Sequence, residues 1–130
     1  MLTYGTFDLF HVGHLRLLER LAQLGDRLVV GVSTDEFNAA KGKKSLIPYA
    51  DRAAIVGALG IVDEVFPEEN WDQKRADIER FGIDIFGMGS DWQGKFDDLR
   101  ALCEVVYLER TEGLSSTTIR GQIIPRGNTP

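Results

Sequence analysis

The two histidines of this 130-residue chain lie three positions apart in the segment FHVGH. His11 and His14 precede leucines at helical spacing, so their rings can share one face of a first helical turn. The start of a helix presents unpaired N–H groups and the positive end of its dipole, which attract phosphate. Gly13 leaves room for a phosphate near the backbone. Two imidazole N–H groups directed at one phosphoryl group would stabilise the charge that develops there in a transition state.

Other interpretations of the pair stay open on this segment alone. A metal site needs further ligands, but the chain has no third histidine and its one cysteine, Cys103, lies elsewhere in the sequence. Ordinary surface or core histidines account for roughly half of isolated HxxH motifs.

A second phosphate-binding pattern follows the apolar run EVVYL. The guanidinium of Arg110 offers a planar fork of donors that suits a phosphate. Gly113 permits a tight turn, and the hydroxyls of Ser115, Ser116 and Thr117 then open the last predicted helix. Taken alone, these hydroxyls equally fit a plain helix N-cap. Together with the histidines, they predict two cradles, which suits a triphosphate.

Several isolated residues add possible contacts. Lys41 and Lys43, in the segment KGKK, are either a solvated loop or a flap over a pyrophosphate or a substrate phosphate. Trp71 either packs in the interior or stacks on a base. Asp91 could contact a base or a sugar edge, and Asp63 could orient a basic residue or simply lie on a strand.

The overall composition restricts the class of protein. A net charge of -5 and a pI near 5.0 argue against a broad basic face for nucleic acid. No segment approaches the roughly 20 apolar residues that span a bilayer, so we expect no membrane partner. A single cysteine excludes an internal disulfide. We therefore expect a cytoplasmic protein.

Short apolar runs alternate with segments of helical period, which predicts βαβ units around a parallel sheet. The predicted strands are residues 2–5, 27–33, 61–66, 84–88 and 104–108. The predicted helices are residues 15–24, 48–59, 71–81, 95–102 and 115–124, with a polar stretch over 33–45. We expect one domain over residues 1–124, with an α/β, open, doubly wound sheet of about five strands, and a disordered tail over 125–130.

In such sheets a ligand lies beyond the carboxyl ends of the strands, at the point where the strand order reverses. The segments after Gly5, Ser33, Gly89 and Leu108 should therefore surround one crevice. The histidines, the lysines, Asp91 and Arg110 all fall on these segments, so we expect them to meet there.

Five segments together resemble the cytidylyltransferase family of nucleotidyltransferases: YGTFDLFHVGHLRLLERL, STDEF, KGKK, MGSDW and RTEGLSST. The resemblance extends from about residue 2 to residue 123, and the order and spacing of HxGH and RTxGxSST are highly specific. It implies a Rossmann-like nucleotidyltransferase fold and a homodimer.

The resemblance also implies roles for individual residues. His11 and His14 would contact the triphosphate, with Lys41, Lys43 and Arg110 as further stabilisers of charge. The positions that correspond to nucleotide-binding residues are Tyr4, Gly5, Thr6, Phe7, Gly13, Asp91, Arg110, Thr111, Gly113, Ser115, Ser116 and Thr117. The positions that correspond to acceptor-binding residues are Lys41, Asp63 and Trp71.

The matched segments are most similar to those of members that act on glycerol 3-phosphate. This implies that CTP and glycerol 3-phosphate give CDP-glycerol and pyrophosphate, with Mg²⁺ arriving on the triphosphate. Those members carry RYVDEV where this chain has GIVDEV, so that Gly60 replaces an arginine near the expected site. This departure leaves ATP and other acceptors open, namely FMN, a heptose phosphate or a phosphorylated amino alcohol. A non-catalytic nucleotide-binding module is the alternative from another class, although paired histidines and lysines argue against it.

Overall fold

A computed structural model describes residues 1–109 of the chain. Its strands are β1 (Leu2–Gly5), β2 (Val29–Ser33), β3 (Glu64–Glu68), β4 (Ile85–Gly89) and β5 (Glu104–Leu108). They form one parallel sheet in the order β3-β2-β1-β4-β5. This order confirms the predicted α/β, doubly wound, Rossmann-like sheet. The predicted helix over 115–124 and the tail over 125–130 lie outside the described residues.

The helices are α1 (Val12–Ala22), α2 (Asp35–Ala40), α3 (Tyr49–Gly57) and α4 (Lys74–Phe81), with 3-10 turns at Ser90–Trp92 and Asp97–Ala101. Helix α2 lies in the stretch that the sequence presented only as polar. The hydroxyl of Thr34 accepts a hydrogen bond from the Phe37 N–H and caps the helix. None of the helices within residues 1–109 is long and apolar enough to cross a bilayer.

Strand β3 lies further along the chain than residues 61–66, where the sequence predicted it. Pro67, which follows the predicted range directly, is inside the strand and is in register with Val32. β3 forms the edge of the sheet, so a residue without an N–H can occupy it without loss of a ladder hydrogen bond. This shift places Asp63 before the strand begins.

The register brings the carboxyl ends of the strands to one edge. Ser33 is paired with Glu68, and Gly89 with Leu108. Strands β1 and β4 are joined by the single register pair Leu2–Phe86, at the opposite, amino end of the sheet. The chain therefore leaves a gap between the two halves of the sheet at the carboxyl edge, where the strand order reverses.

A buried arginine on α3 holds this edge together. Nη1 of Arg52 donates to the carbonyl oxygens of Thr6 at 2.8 Å and Ser33 at 2.7 Å, which follow β1 and end β2. Its Nε donates to the Ile47 carbonyl at 2.8 Å, and its Nη2 pairs with the Asp35 carboxylate at 2.7 Å. The guanidinium thus satisfies backbone acceptors that the sheet does not pair.

The carboxylate of Asp8 makes a second link between loops. It accepts hydrogen bonds from the N–H groups of Leu46 and Ile47, each at 2.9 Å. The segment that carries the histidines is thereby tied to the segment that follows the lysines. Asp8 is buried, so these bonds are shielded from water.

We expect Arg52→Met to lower the free energy of unfolding by about 3 kcal/mol or more, because it leaves buried carbonyl oxygens without donors. Urea denaturation measures the change. Arg16→Met is the matched control, since Arg16 pairs with Glu19 on the exposed face of α1 and should cost at most about 0.5 kcal/mol. Equal, small effects of the two substitutions would contradict the role given to Arg52.

Candidate active site

A cavity of about 170 Å³ opens at the carboxyl edge of the sheet. Six of its lining residues were expected at a nucleotide or acceptor site, namely Tyr4, Gly5, Thr6, Lys41, Lys43 and Trp71. The structure therefore brings together residues from the loops after β1, β2 and β3. This agreement places the predicted crevice where the strand order requires it.

Buried charges form one wall of the cavity. Nζ of Lys74 lies 2.8 Å from Oε2 of Glu68, and both side chains are almost fully buried. The other carboxylate oxygen accepts a hydrogen bond from Ser33 at 3.0 Å, and Lys41 lies 3.4 Å from the same hydroxyl. Burial lowers the pKa of Lys41, while the Glu68 carboxylate acts to raise it. Lys43, further out, is exposed.

Tyr4 connects this wall to helix α4. Its hydroxyl donates to Oδ2 of Asp77 at 2.7 Å, and the same oxygen accepts a hydrogen bond from Gln73 at 2.9 Å. Burial, followed by the Asp77 hydrogen bond, raises the pKa of Tyr4 strongly. The phenol is therefore a neutral donor that fixes the start of α4 and, with it, Lys74.

The two histidines lie at the start of α1 in a reciprocal capping arrangement. Nδ1 of His11 accepts a hydrogen bond from the Gly13 N–H at 3.0 Å, and Nδ1 of His14 accepts one from the His11 N–H at 3.2 Å. A nitrogen that accepts cannot carry a proton, so the neutral rings bear their hydrogens on Nε2. The rings stack with centroids 4.0 Å apart. Both remaining N–H donors are thus free of the helix cap.

Aromatic neighbours keep His14 uncharged. Its ring centroid lies 5.5 Å from that of Phe7 and 5.2 Å from that of Phe10. Burial, and secondarily the charge on His11, lowers the pKa of His14 to about 4. Burial also lowers the pKa of His11. Nε2 of His11 is buried and has no hydrogen-bond partner among residues 1–109, which identifies it as a donor available to a ligand.

The loop between β1 and α1 adopts an unusual backbone. Phe7 and Leu9 have φ angles of 54° and 50°, a region that residues other than glycine rarely enter. The ring of Phe7 packs over Gly5, where a Cβ would lie 2.7 Å from it. Phe7 therefore acts by packing below the His14 ring rather than by lining the cavity. Such strain is typical of sites that require a fixed geometry.

Comparison with known proteins agrees with this geometry. Residues 2–122 match the cytidylyltransferase-like family. The chain belongs to this family. It is 58% identical over 123 residues to a glycerol-3-phosphate cytidylyltransferase of Bacillus subtilis, with 95% of each chain covered. It is 50% identical to a glycerol-3-phosphate cytidylyltransferase of Staphylococcus aureus, over 95% of this chain and 93% of that relative.

A solved structure also matches this cytidylyltransferase-like chain. It is that of a lipopolysaccharide core biosynthesis protein from Thermoplasma volcanium, with a TM-score of 0.72 and 25% identity. The match covers 85% of this chain and 96% of the other. The predicted class is confirmed, and the protein is a nucleotidyltransferase enzyme.

The structure does not bring Asp63 to the cavity of this cytidylyltransferase-like enzyme. Its Oδ2 accepts a hydrogen bond from the Leu28 N–H at 2.8 Å, at the amino end of β2. A strand of five residues, on the order of 16 Å, separates this edge from the cavity. The structure therefore places Asp63 away from this cavity, and its assignment to the acceptor stays a prediction.

The remaining predicted residues divide into two groups. Asp91 lies on the turn after β4, at the carboxyl edge, with an exposed side chain. Gly13 contributes its N–H to the cap described above. The others lie outside the described residues, and they are Arg110, Thr111, Gly113, Ser115, Ser116 and Thr117.

Sequence reasoning missed Glu68 and Lys74. Each looks like an ordinary surface charge near Trp71, because the sequence does not show that the two side chains pair. The one available signal is that Glu68 follows a predicted strand, on the edge where ligands bind.

The histidine geometry predicts a pH dependence. Nitrogen-detected NMR at pH 7 should show both rings as the Nε2–H tautomer, and His14 should stay neutral down to about pH 5 and titrate near pH 4. An unfolded histidine takes up a proton near pH 6.5. The contribution of His14 to stability is therefore fully present above pH 6.5 and is lost as the pH falls toward 4. A folded-state midpoint near 6.5, as expected in urea, would exclude the buried neutral ring.

Proposed function

We propose that this enzyme transfers a cytidylyl group from CTP to glycerol 3-phosphate, with formation of CDP-glycerol and release of pyrophosphate. The reaction class is supported by one observation above all, the pair of neutral histidines at the start of α1, whose Nδ1 atoms form the helix cap and whose Nε2–H groups take no part in it. The acceptor is supported by the 58% identity to a relative of that name across 95% of both chains.

The reaction joins two anions. An oxygen of the acceptor phosphate attacks the α-phosphorus of CTP, the new P–O bond forms, and the bond to the β-phosphate breaks as pyrophosphate leaves. The acceptor phosphate is already nucleophilic near neutral pH, so no general base is required. The work of the protein is to position the two reactants and to stabilise charge.

The charges of the site are suited to this task. His11 and His14 donate hydrogen bonds to oxygens of the α-phosphate. Because both rings are neutral, they do so without adding a positive charge to the site. Lys41 and Lys43 stabilise the departing pyrophosphate, together with Arg110. Mg²⁺ would be held by the phosphates of CTP itself and would neutralise part of their charge.

The size of the cavity favours a small acceptor. Sites for larger organic ligands enclose about 300–1,000 Å³, whereas this cavity encloses about 170 Å³. A three-carbon phosphate fits such a volume. The exposed indole of Trp71 (47% exposed) closes one side of the cavity. We place the acceptor here, between Trp71 and the lysines.

Pyrophosphate release tests this function directly. We expect turnover only when CTP, glycerol 3-phosphate and Mg²⁺ are all present, with kcat/KM for CTP about a hundredfold above that for ATP. Parallel reactions contain FMN, a heptose phosphate or phosphoethanolamine as the acceptor. A nucleotide-binding module without chemistry would show a thermal shift with CTP but no pyrophosphate, and that outcome would refute the proposal.

The histidine role predicts a separation of activity from stability. His14→Ala and His14→Asn should each lower kcat by about a hundredfold or more, since both lack the Nε2–H donor. The Asn oxygen can still accept the His11 N–H, so this variant should keep the helix cap that the Ala variant loses, a difference of about 1 kcal/mol in unfolding. Near-normal turnover by the correctly folded His14→Asn variant would contradict the assignment.

We further propose that the enzyme is a cytoplasmic homodimer. The dimer is supported by the resemblance to the family, and the compartment by a chain with one half-buried free cysteine, Cys103. Light scattering coupled to gel filtration measures the oligomeric state.

A further inference from the structure

An aromatic cage forms part of the cavity, and a lysine of the chain itself occupies it. Nζ of Lys74 lies 4.6 Å from the centroid of the Tyr4 ring. The same atom lies 5.0 Å from the Trp71 ring and 5.4 Å from the Phe96 ring. Faces of aromatic rings within about 6 Å attract cations, and such cages recognise ligands with a quaternary ammonium group.

The carboxylate of Glu68 completes the cage, 2.8 Å from the Lys74 ammonium. Both residues are almost fully buried, so the attraction between them is little screened by water. Rings together with a carboxylate would suit an ammonium group of a ligand. Here the ammonium group of Lys74 fills that place before any ligand arrives.

A second lysine strengthens the same effect. Nζ of Lys41 lies 4.3 Å from the centroid of Phe37 and 5.5 Å from that of Trp71. Trp71 is thus shared by two ammonium groups. A cationic ligand that entered the cavity would meet two like charges and a set of rings already engaged.

We propose that Lys74 determines the class of acceptor, because its ammonium group occupies the Tyr4–Trp71–Phe96 cage and so excludes acceptors that carry an ammonium group. The cavity instead accepts phosphorylated polyols. Their hydroxyls are neutral and can donate to the remaining lone pairs of Glu68 while they accept from Lys74. This inference rests on the proposed function, since it concerns the acceptor of the same reaction.

Lys43 provides a matched comparison. It lines the same cavity but is exposed, and none of the cation–ring contacts within residues 1–109 involves it. A lysine in this position attracts any phosphate, whatever the rest of the acceptor carries. Its removal should weaken binding of all phosphorylated acceptors to a similar degree.

Lys74→Met tests the proposal, since it removes the charge but keeps an apolar stem of similar length. Calorimetry without nucleotide measures the dissociation constants of phosphocholine and glycerol 3-phosphate. In Lys74→Met we expect phosphocholine to bind more tightly relative to glycerol 3-phosphate, because the rings and Glu68 become available to choline. The ratio of the dissociation constant of phosphocholine to that of glycerol 3-phosphate should fall by about a hundredfold. In Lys43→Met the ratio should stay within about twofold of that of the wild type.

A second variant covers the case in which an unpaired Glu68 prevents folding. Lys74→Met combined with Glu68→Gln removes both buried charges and leaves a neutral aromatic cage, which should still lower the ratio by about tenfold. An unchanged ratio in the folded variant would overturn the proposal. So would millimolar binding of choline chloride to the wild type, a measurement that needs no variant.

These measurements separate the inference from the function on which it rests. Binding is measured without CTP, so a shift in the ratio does not depend on turnover. Failure of the wild type to release pyrophosphate with glycerol 3-phosphate would refute the proposed function. A wild type that turns over while the ratio stays constant in Lys74→Met would refute the inference alone.

Discussion

The carboxyl edge of the sheet depends on one buried cation, the guanidinium of Arg52. Ends of parallel strands leave carbonyl oxygens that no neighbouring strand satisfies. Arg52 reaches those of Thr6 and Ser33 from helix α3, and Asp35 balances its charge. Thr6 and Ser33 both line the cavity, so a structural bond also sets the shape of the site.

The site combines neutral hydrogen-bond donors with charged ammonium groups. The histidines are neutral and directional, with their Nδ1 atoms committed to the start of α1 and their Nε2–H groups outside the cap. The lysines are charged and are restrained by neighbours, Lys74 by Glu68 and Lys41 by nearby rings. In both cases the orientation is fixed in the folded protein, so little reorganisation accompanies the reaction.

Local patterns in the sequence sufficed for most of the fold. A run of branched apolar residues predicts a buried strand such as β2. The bounds of β1 and β5 were predicted without error. Helix α2 was not predicted because it has only six residues, half of them polar, and depends on the cap from Thr34. The shift of β3 could not be predicted from the sequence. A proline is tolerated on an edge strand, but which strand forms the edge depends on the whole sheet.

The site was predictable where a motif carries the chemistry and not where a contact does. The HxGH segment and KGKK were recognisable as phosphate-binding patterns, and the structure places Lys41 and Lys43 in the cavity. Asp63 was assigned by resemblance, which does not show that its carboxylate accepts the Leu28 N–H at the amino end of β2. Glu68 and Lys74 gain their character from burial against each other, which no single position reveals.

The single register pair between β1 and β4 has a mechanical consequence. The domain consists of two half-sheets joined by a seam, and the cavity lies at its open end, with Ser33 and Glu68 on one side and Met88 and Trp92 on the other. A molecule lodged there touches both halves. A molecule bound in the cavity should therefore stabilise the folded domain, because it contacts both half-sheets at once.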